Sequence, residues 1–412
     1  MKKHLLTISF LLVVQLVCLA QTNLYWKLGY HTGVSFKNGT CVVNANDSCT
    51  MQMNDSNTGV CDNHGGIIFY SNGLLVKNRL DQTMPNGSNI NHGTISDTYI
   101  SQGWLPPYNV ATVVPFPNDT NKFYMFYENL EYNINGAFFP QKLRYLIVDR
   151  NLNGGLGDVT QKEIDVITDT LYDGQIHAIK HGNGKDYWLV VRKYKSNIFY
   201  KVLINNSGIS VFDTQAIGIK YPVNDSISIY VGQSNVSIQG DKIVYLYGGI
   251  PPSGKYPDGQ MDIEYVDRCT GKITKAQNIT LPYSAPDSLD VIFVCFSPSG
   301  RFVYVTDIEK IWQFDLNASN IVASKILIAK RLPTSWSFGQ MQIAPDNKIY
   351  CAGYGAAQNM HVINEPDSLG VACNFVQNQI YFGGSPHYSN GGLPNVPNFS
   401  LGKIDCEWVY KK

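Results

Sequence analysis

Residues 291–329 read VIFVCFSPSGRFVYVTDIEKIWQFDLNASNIVASKILIA. Four runs stand in order within them, VIFVCFSP, RFVYVTD, KIWQFDL and SKILIA, parted by short polar turns. Each run is rich in β-branched and aromatic residues and too short for a helix, so the unit reads as an antiparallel sheet of four strands. The next stretch repeats the order as GQMQIAP, KIYCAGY, MHVINEP and FVQNQIYF. Apolar residues run together in several of these segments, as they do in strands covered on both faces. A lone four-stranded sheet cannot bury both faces, whereas a closed ring of such sheets can.

Working outward, similar units centre on Gly65, Asn121, Lys185, Gly240, Ser299 and Asp346. Their spacing of roughly 50–65 residues is near the blade period of a propeller and unlike any helical repeat. The expected fold is all-β, a WD40/YVTN-like β-propeller of four-stranded blades. The repeat count favours six blades. The flanking stretches, residues 26–36 (WKLGYHTGVSF) and 393–410, either join the first and last blades or supply a composite seventh. The competing architecture is an array of β-sandwiches, which also shows regularly spaced short strands. No Pro/Ser-rich linker interrupts the chain, so residues 21–412 are expected to form one domain.

Residues 1–20 carry Lys2 and Lys3, an apolar run from Leu5 to Val14, and Cys18 and Ala20 before the chain turns polar at Gln21. That is the pattern of a signal peptide cleaved after Ala20. The lipid-attachment alternative at Cys18 is disfavoured by Val17, where such signals carry a small residue. No later segment reaches the roughly 18 apolar residues of a membrane helix. The chain is expected to be exported, to the periplasm, the cell surface or the medium. Lys plus Arg and Asp plus Glu both total 32, a balance that points away from nucleic acid.

Cys41, Cys49, Cys61, Cys269, Cys295, Cys351, Cys373 and Cys406 follow the leader, and an exported chain is expected to pair some of them. A local bridge among Cys41, Cys49 and Cys61 is the first expectation. Cys295 and Cys351 lie inside apolar strand patterns and read as small buried hydrophobes. No close CxxC pair suggests zinc.

The stretches LRYLIVDRNLNGGLGDV (143–159), WKLGYHTGVSF, GGIIFYSNG, TMPNGS, FSPSGRFVYV, GVACNFV and GLPNVPNF together resemble the N-terminal propeller region of exported surface proteins of Bacteroidetes. The resemblance covers nearly all of residues 21–412. In that family the region often precedes PKD or immunoglobulin-like modules, gliding-motility-associated regions or type IX sorting domains. The sequence departs from that plan in ending at Lys412, which places surface attachment by that route in question. The resemblance implies a propeller and no catalytic residues.

The sharpest local candidate is a calcium loop. Asp149, Asn151, Asn153, Gly154 and Asp158 follow D-x-N-x-N-G, which offers oxygen ligands at alternating positions. Thr160 stands where an EF-hand places its bidentate Glu, and Asn-Gly-Gly between strands equally marks a hairpin turn. Calcium is the one cofactor the sequence suggests. His177 and His181 are four apart but belong to a strand and a turn, not to one helix face. No nucleophile elbow, phosphate loop or sialidase repeat is present.

Asp149, Glu128, Asp186, Asp262, Glu264 and Asp307 are the carboxylates that blade convergence would have to assemble for glycoside cleavage. Trp104, Tyr108, Tyr256, Trp336, Tyr354 and Tyr388 are loop aromatics suited to stacking on sugars or anchoring a protein. The expected function is non-enzymatic: an exported binding or scaffold protein of the bacterial envelope, with a protein or glycan partner. The alternative is an exported polysaccharide hydrolase or lyase with acidic residues near the propeller axis. A convergent carboxylate pocket separates the second from the first.

Overall fold

A computed structural model of the chain describes residues 23–44, 46–106, 108–132, 138–220, 228–250, 259–281 and 292–406. The leader and Tyr256 lie outside these residues. The described strands form seven antiparallel sheets, each built from strands that follow one another in the chain. Blade 1 comprises Tyr25–Leu28, Thr32–Ser35 and Val42–Asn44, and blade 2 comprises Thr58–Cys61, Ile67–Ser71 and Val76–Asn78. Blade 3 begins at Ala111–Phe116, blade 4 at His177–Lys180, blade 6 at Phe293–Phe296 and blade 7 at Ser337–Ile343. In blade 5 the first position is shared by Ser228–Val231 and Asn235–Val236, which pair in turn with Lys242–Ile250.

First strands of successive blades lie side by side around the ring. The chain is a β-propeller, and the blade number is the larger of the two that the sequence allows. The extra blade comes from residues 25–44, where Tyr25–Leu28 and Thr32–Ser35 close a tight hairpin and the Thr32–Ser35 strand pairs with Val42–Asn44. Their short strands lack the long apolar run that marks the later copies. Residues 393–406 contribute no strand to any blade, so the composite blade does not form. In blades 6 and 7 all eight strands fall where the sequence places them.

The core is a set of apolar seams between blades. Trp26 and Phe36 of blade 1 pack on Tyr350, Met360 and Val362 of blade 7 and so close the ring. Phe302 and Tyr304 meet Met341 and Cys351 between blades 6 and 7. Two seams also carry buried charge. Lys27 pairs with Asp47 at 2.7 Å and lies over the Tyr70 ring between blades 1 and 2. Arg192 of blade 4 pairs with Asp262 of blade 5 at 3.0 Å. Among the described residues no helix is long and apolar enough to cross a membrane.

Candidate functional site

The inner edge of each blade presents backbone N–H and C=O groups that no further strand can satisfy. Gln233 meets several of them. Its Nε2 donates to the Met341 carbonyl at 3.0 Å, while its Oε1 accepts from the amides of Val294 at 3.3 Å and Met341 at 3.2 Å. One side chain thereby ties blade 5 to blades 6 and 7. Asn235 repeats the device two residues on, donating to Gln342 Oε1 and accepting from the Phe296 amide.

The channel is filled by the C-terminal segment. The Leu393 amide donates to Gln340 Oε1 of blade 7, and the Asn395 amide to the Asn57 carbonyl ahead of blade 2. Asn395 Nδ2 reaches the carbonyls of Ala111 at 3.0 Å and Ile176 at 3.2 Å, where the first strands of blades 3 and 4 begin. Asn398 Nδ2 then donates to the Ile238 carbonyl at 2.7 Å, and Lys180 Nζ to the Phe399 carbonyl at 2.8 Å, where the first strands of blades 5 and 4 end. The tail therefore threads the ring from one mouth to the other. Pro394 and Pro397 deny it a ladder, and the two asparagine side chains supply the hydrogen bonds instead.

At the exit mouth the Ile404 amide donates to the Gly182 carbonyl, Arg268 Nη2 donates to the Gly402 carbonyl, and Cys406 is disulfide-bonded to Cys269. At the other mouth Tyr108, ahead of blade 3, meets Phe293 of blade 6 edge-on at 5.0 Å. Blades 3 and 6 stand across the ring from each other, so this contact spans the axis. Gly174 is required beneath it, because a Cβ there would lie 2.0 Å from the Tyr108 carbonyl oxygen. A cavity of about 340 Å³ remains around the tail, bordered by His177, Lys180, Asn235, Ser237, Gln342 and Asn398. Burial holds His177 down to about 3, so it is neutral at physiological pH and bonds Ser234 Oγ at 2.7 Å. It is a strand residue and His181 a turn residue, as the sequence indicates.

The candidate residues are dispersed. Asp149 and Asp158 face each other across two paired strands. Asp149 Oδ1 accepts from the Asn151 amide at 3.0 Å, and Asp158 Oδ1 accepts from Asn86 Nδ2 at 3.1 Å. Asn153, Gly154, Gly155 and Gly157 all take positive φ, which is what the hairpin needs. Among the described residues no group of three or more His, Cys, Asp or Glu gathers within reach of a metal. The calcium expectation thus rests on sequence spacing alone.

The carboxylates are committed within their own blades and seams. Glu128 is fully buried and accepts from the Gly174 amide at 2.8 Å, and burial pushes its pKa well above the usual range. Asp307 caps a hairpin through the Glu309 and Lys310 amides, and burial raises it to about 6. Asp186 accepts from Asn183 Nδ2. Asp262 holds Arg192, and Glu264 lies two residues along the same strand face. Of the loop aromatics, Trp104 packs on Tyr99, Tyr388 stacks on Tyr30, and Tyr354 is exposed.

The expected local bridge does not form: Cys41, Cys49 and Cys61 are free. Each faces a different neighbour, Cys41 the Tyr350 hydroxyl, Cys49 the Met51 carbonyl and Cys61 the Tyr25 carbonyl. Cys295 and Cys351 are fully buried thiols, as their strand patterns indicate. Sequence reasoning missed Gln233, Asn395 and Arg192. Only the Pro-Asn repeat of LPNVPN offered a signal, that of a segment unable to join a sheet.

Burial, reinforced by the charge of Asp262, raises Glu264 to about 8, and its Oε2 has no hydrogen-bond partner among the described residues. An unfolded glutamate titrates near about 4.3. The stabilising contribution of the protonated form is therefore complete below that value and is lost as pH rises through 8. Glu264→Gln keeps the shape without the charge. It is expected to exceed wild type in stability by about 1–2 kcal/mol at pH 8 and to match it near pH 4. Urea unfolding at the two pH values checks this, and a gap independent of pH refutes it.

The fold and axis define a seven-bladed β-propeller whose channel is occupied by its own C-terminal segment. No protein-family model and no curated protein matches the sequence. Among solved structures the chain is similar to hydrazine synthase of Kuenenia stuttgartiensis, at 14% identity and TM-score 0.45, over 79% of this chain and 87% of that one. It is also similar to a calcium-binding protein, regucalcin, of Agrobacterium tumefaciens, at 11% identity and TM-score 0.35, over 64% and 74% of the two chains. A puromycin-hydrolyzing peptidase of Mycobacterium tuberculosis aligns at 10% identity and TM-score 0.37, over 71% of this chain and 42% of that one.

Proposed function

We propose that the chain is an exported binding or scaffold protein of the bacterial envelope or surface, that its partner is a protein or a glycan, and that recognition lies on loops and outer strands. The occupied axis carries this reading. A propeller that catalyses at its centre needs an open mouth and convergent polar groups there. In this chain Asn395 and Asn398 spend the inner-strand carbonyls on the tail, and Tyr108 lies across the opposite mouth. Of the six carboxylates considered for glycoside cleavage, Asp262 and Glu264 share one strand face in a buried seam, and Asp149, Glu128, Asp186 and Asp307 each accept a hydrogen bond from their own surroundings.

The test is binding of the purified chain to a panel of bacterial and plant polysaccharides and to envelope proteins, with released reducing ends assayed in parallel. Binding without release is the expected outcome. Release of sugars by the chain overturns the reading in favour of a hydrolase or lyase. Fractionation of the source cell adds a second check, since a cytoplasmic chain that retains its leader is incompatible with export.

A further inference from the structure

A second cleft opens on the outside of the ring, between blades 4 and 5. It encloses about 460 Å³ and is bordered by His181, Trp188, Lys201, Phe212, Asp213 and Lys272. Trp188 is its fixed wall: the ring is 2% exposed and its Nε1 donates to the Arg268 carbonyl at 3.0 Å. Gly271 lies flat against that ring, where a Cβ would sit 2.6 Å from Trp188 Cδ2. His181 stacks on the same indole at 5.5 Å. The Cys269–Cys406 disulfide holds the turn that carries Gly271 and so sets the back of the cleft.

Phe212 stands edge-on to Trp188 at 5.4 Å, yet 56% of it is exposed on an outer strand beside the exposed Val211 and Asp213. An aromatic ring half in water beside a fixed indole is a surface suited to the apolar face of a ligand. The surrounding groups supply both kinds of hydrogen bond. Asp213 accepts from the buried Lys201 at 2.8 Å while its own side chain stays 47% exposed, leaving acceptor capacity toward the cleft. Thr214 adds an exposed hydroxyl, and Lys272 adds a cation with no ion pair among the described residues.

We infer that this cleft binds an oligosaccharide bearing a carboxylate, of the uronate class. A sugar ring has an apolar face for Phe212 and hydroxyl edges for Asp213 and Thr214. Lys201 is neutralised by Asp213, so Lys272 is left to meet the carboxylate. The inference deepens the binding reading above and rests on it.

The experiment is titration of the full chain with a uronate tetrasaccharide and its neutral counterpart, for wild type, Phe212→Ala and Lys272→Gln. Both substitutions lie at the surface, and thermal melts verify that the variants remain folded. The acidic ligand is expected to bind, to lose at least tenfold in affinity in Phe212→Ala, and to lose about threefold to tenfold in Lys272→Gln with a weaker salt dependence. Equal affinity for the neutral sugar overturns the acidic assignment. Binding that Phe212→Ala leaves unchanged overturns the cleft while sparing the glycan-binding reading. Recognition of a protein alone overturns the inference and leaves the scaffold reading intact.

Discussion

Asp262→Ala is expected to destabilise the folded chain by about 3–5 kcal/mol, because it leaves a buried guanidinium without its counter-charge. Arg192 and Asp262 are 1% and 0% exposed. Among the described residues Arg192 also donates to neutral acceptors, the Tyr247 hydroxyl at 2.7 Å and the carbonyls of Ile219 at 3.0 Å and Ser196 at 3.1 Å. The Tyr172, Phe199 and Tyr247 rings surround the guanidinium with centroids 5.8, 5.2 and 5.0 Å away. That cage favours a cation but does not replace a carboxylate at this depth. On the other side Asp262 Oδ1 accepts from Asn278 Nδ2 at 2.7 Å; Asn278 is exposed on the outer strand, so its amide turns to solvent in the variant and the cost falls on Arg192.

The double variant Arg192→Met with Asp262→Leu is expected to recover most of the loss, since an apolar pair of similar volume needs no desolvation. Denaturant unfolding of the two single variants and the double variant measures the coupling directly. A loss below about 1 kcal/mol for Asp262→Ala would show that water reaches the pair and that the seam is open.

The second large effect is expected at the disulfide. Cys269 and Cys406 are 137 residues apart with Cα atoms separated by 5.5 Å. In the chain-entropy account a loop of the order of 100 residues confers up to about 4–5 kcal/mol, and native bridges commonly confer about 2–4. Cys269→Ser is therefore expected to lower stability by about 2–4 kcal/mol. The loss has a definite place. Phe399 stays anchored by its buried ring, whereas beyond it the described hydrogen bonds to the blades lie at Gly402 and Ile404, so the tail should fray first from the exit mouth.

Limited proteolysis should consequently cut within residues 399–406 in Cys269→Ser or in reduced protein, and spare them in oxidised wild type. Alkylation provides an independent readout. Burial raises Cys49, Cys61 and Cys351 to about 12, so these thiols should resist labelling in native protein and react in denaturant. An intact mass with Cys269 and Cys406 reduced in protein recovered from the envelope would refute the pairing.

The inner three strands of blades 6 and 7 were legible because each is sandwiched between neighbouring blades. A strand covered on both faces must be apolar throughout, and VIFVCFSP or KIYCAGY says so without reference to anything distant. The short strands of blade 1 were harder to count, since YWKL and TGVS carry that signal over only four residues each. The free, buried state of Cys295 and Cys351 was readable for the same local reason.

The tertiary structure alone decided what depends on closure of the ring. Asn395 is one asparagine among many in the sequence, and only the axis places its amide against carbonyls 284 and 219 positions away. Cys41, Cys49 and Cys61 are near in sequence but face different neighbours, whereas Cys269 and Cys406 meet because the tail leaves the channel beside the blade 5 turn. Arg192 and Asp262 read as ordinary strand charges until the seam between blades 4 and 5 closes over them. Strand identity follows from burial of each segment's own faces, which neighbouring residues encode. Pairing across the ring follows from where separate blades come to lie, which no local pattern records.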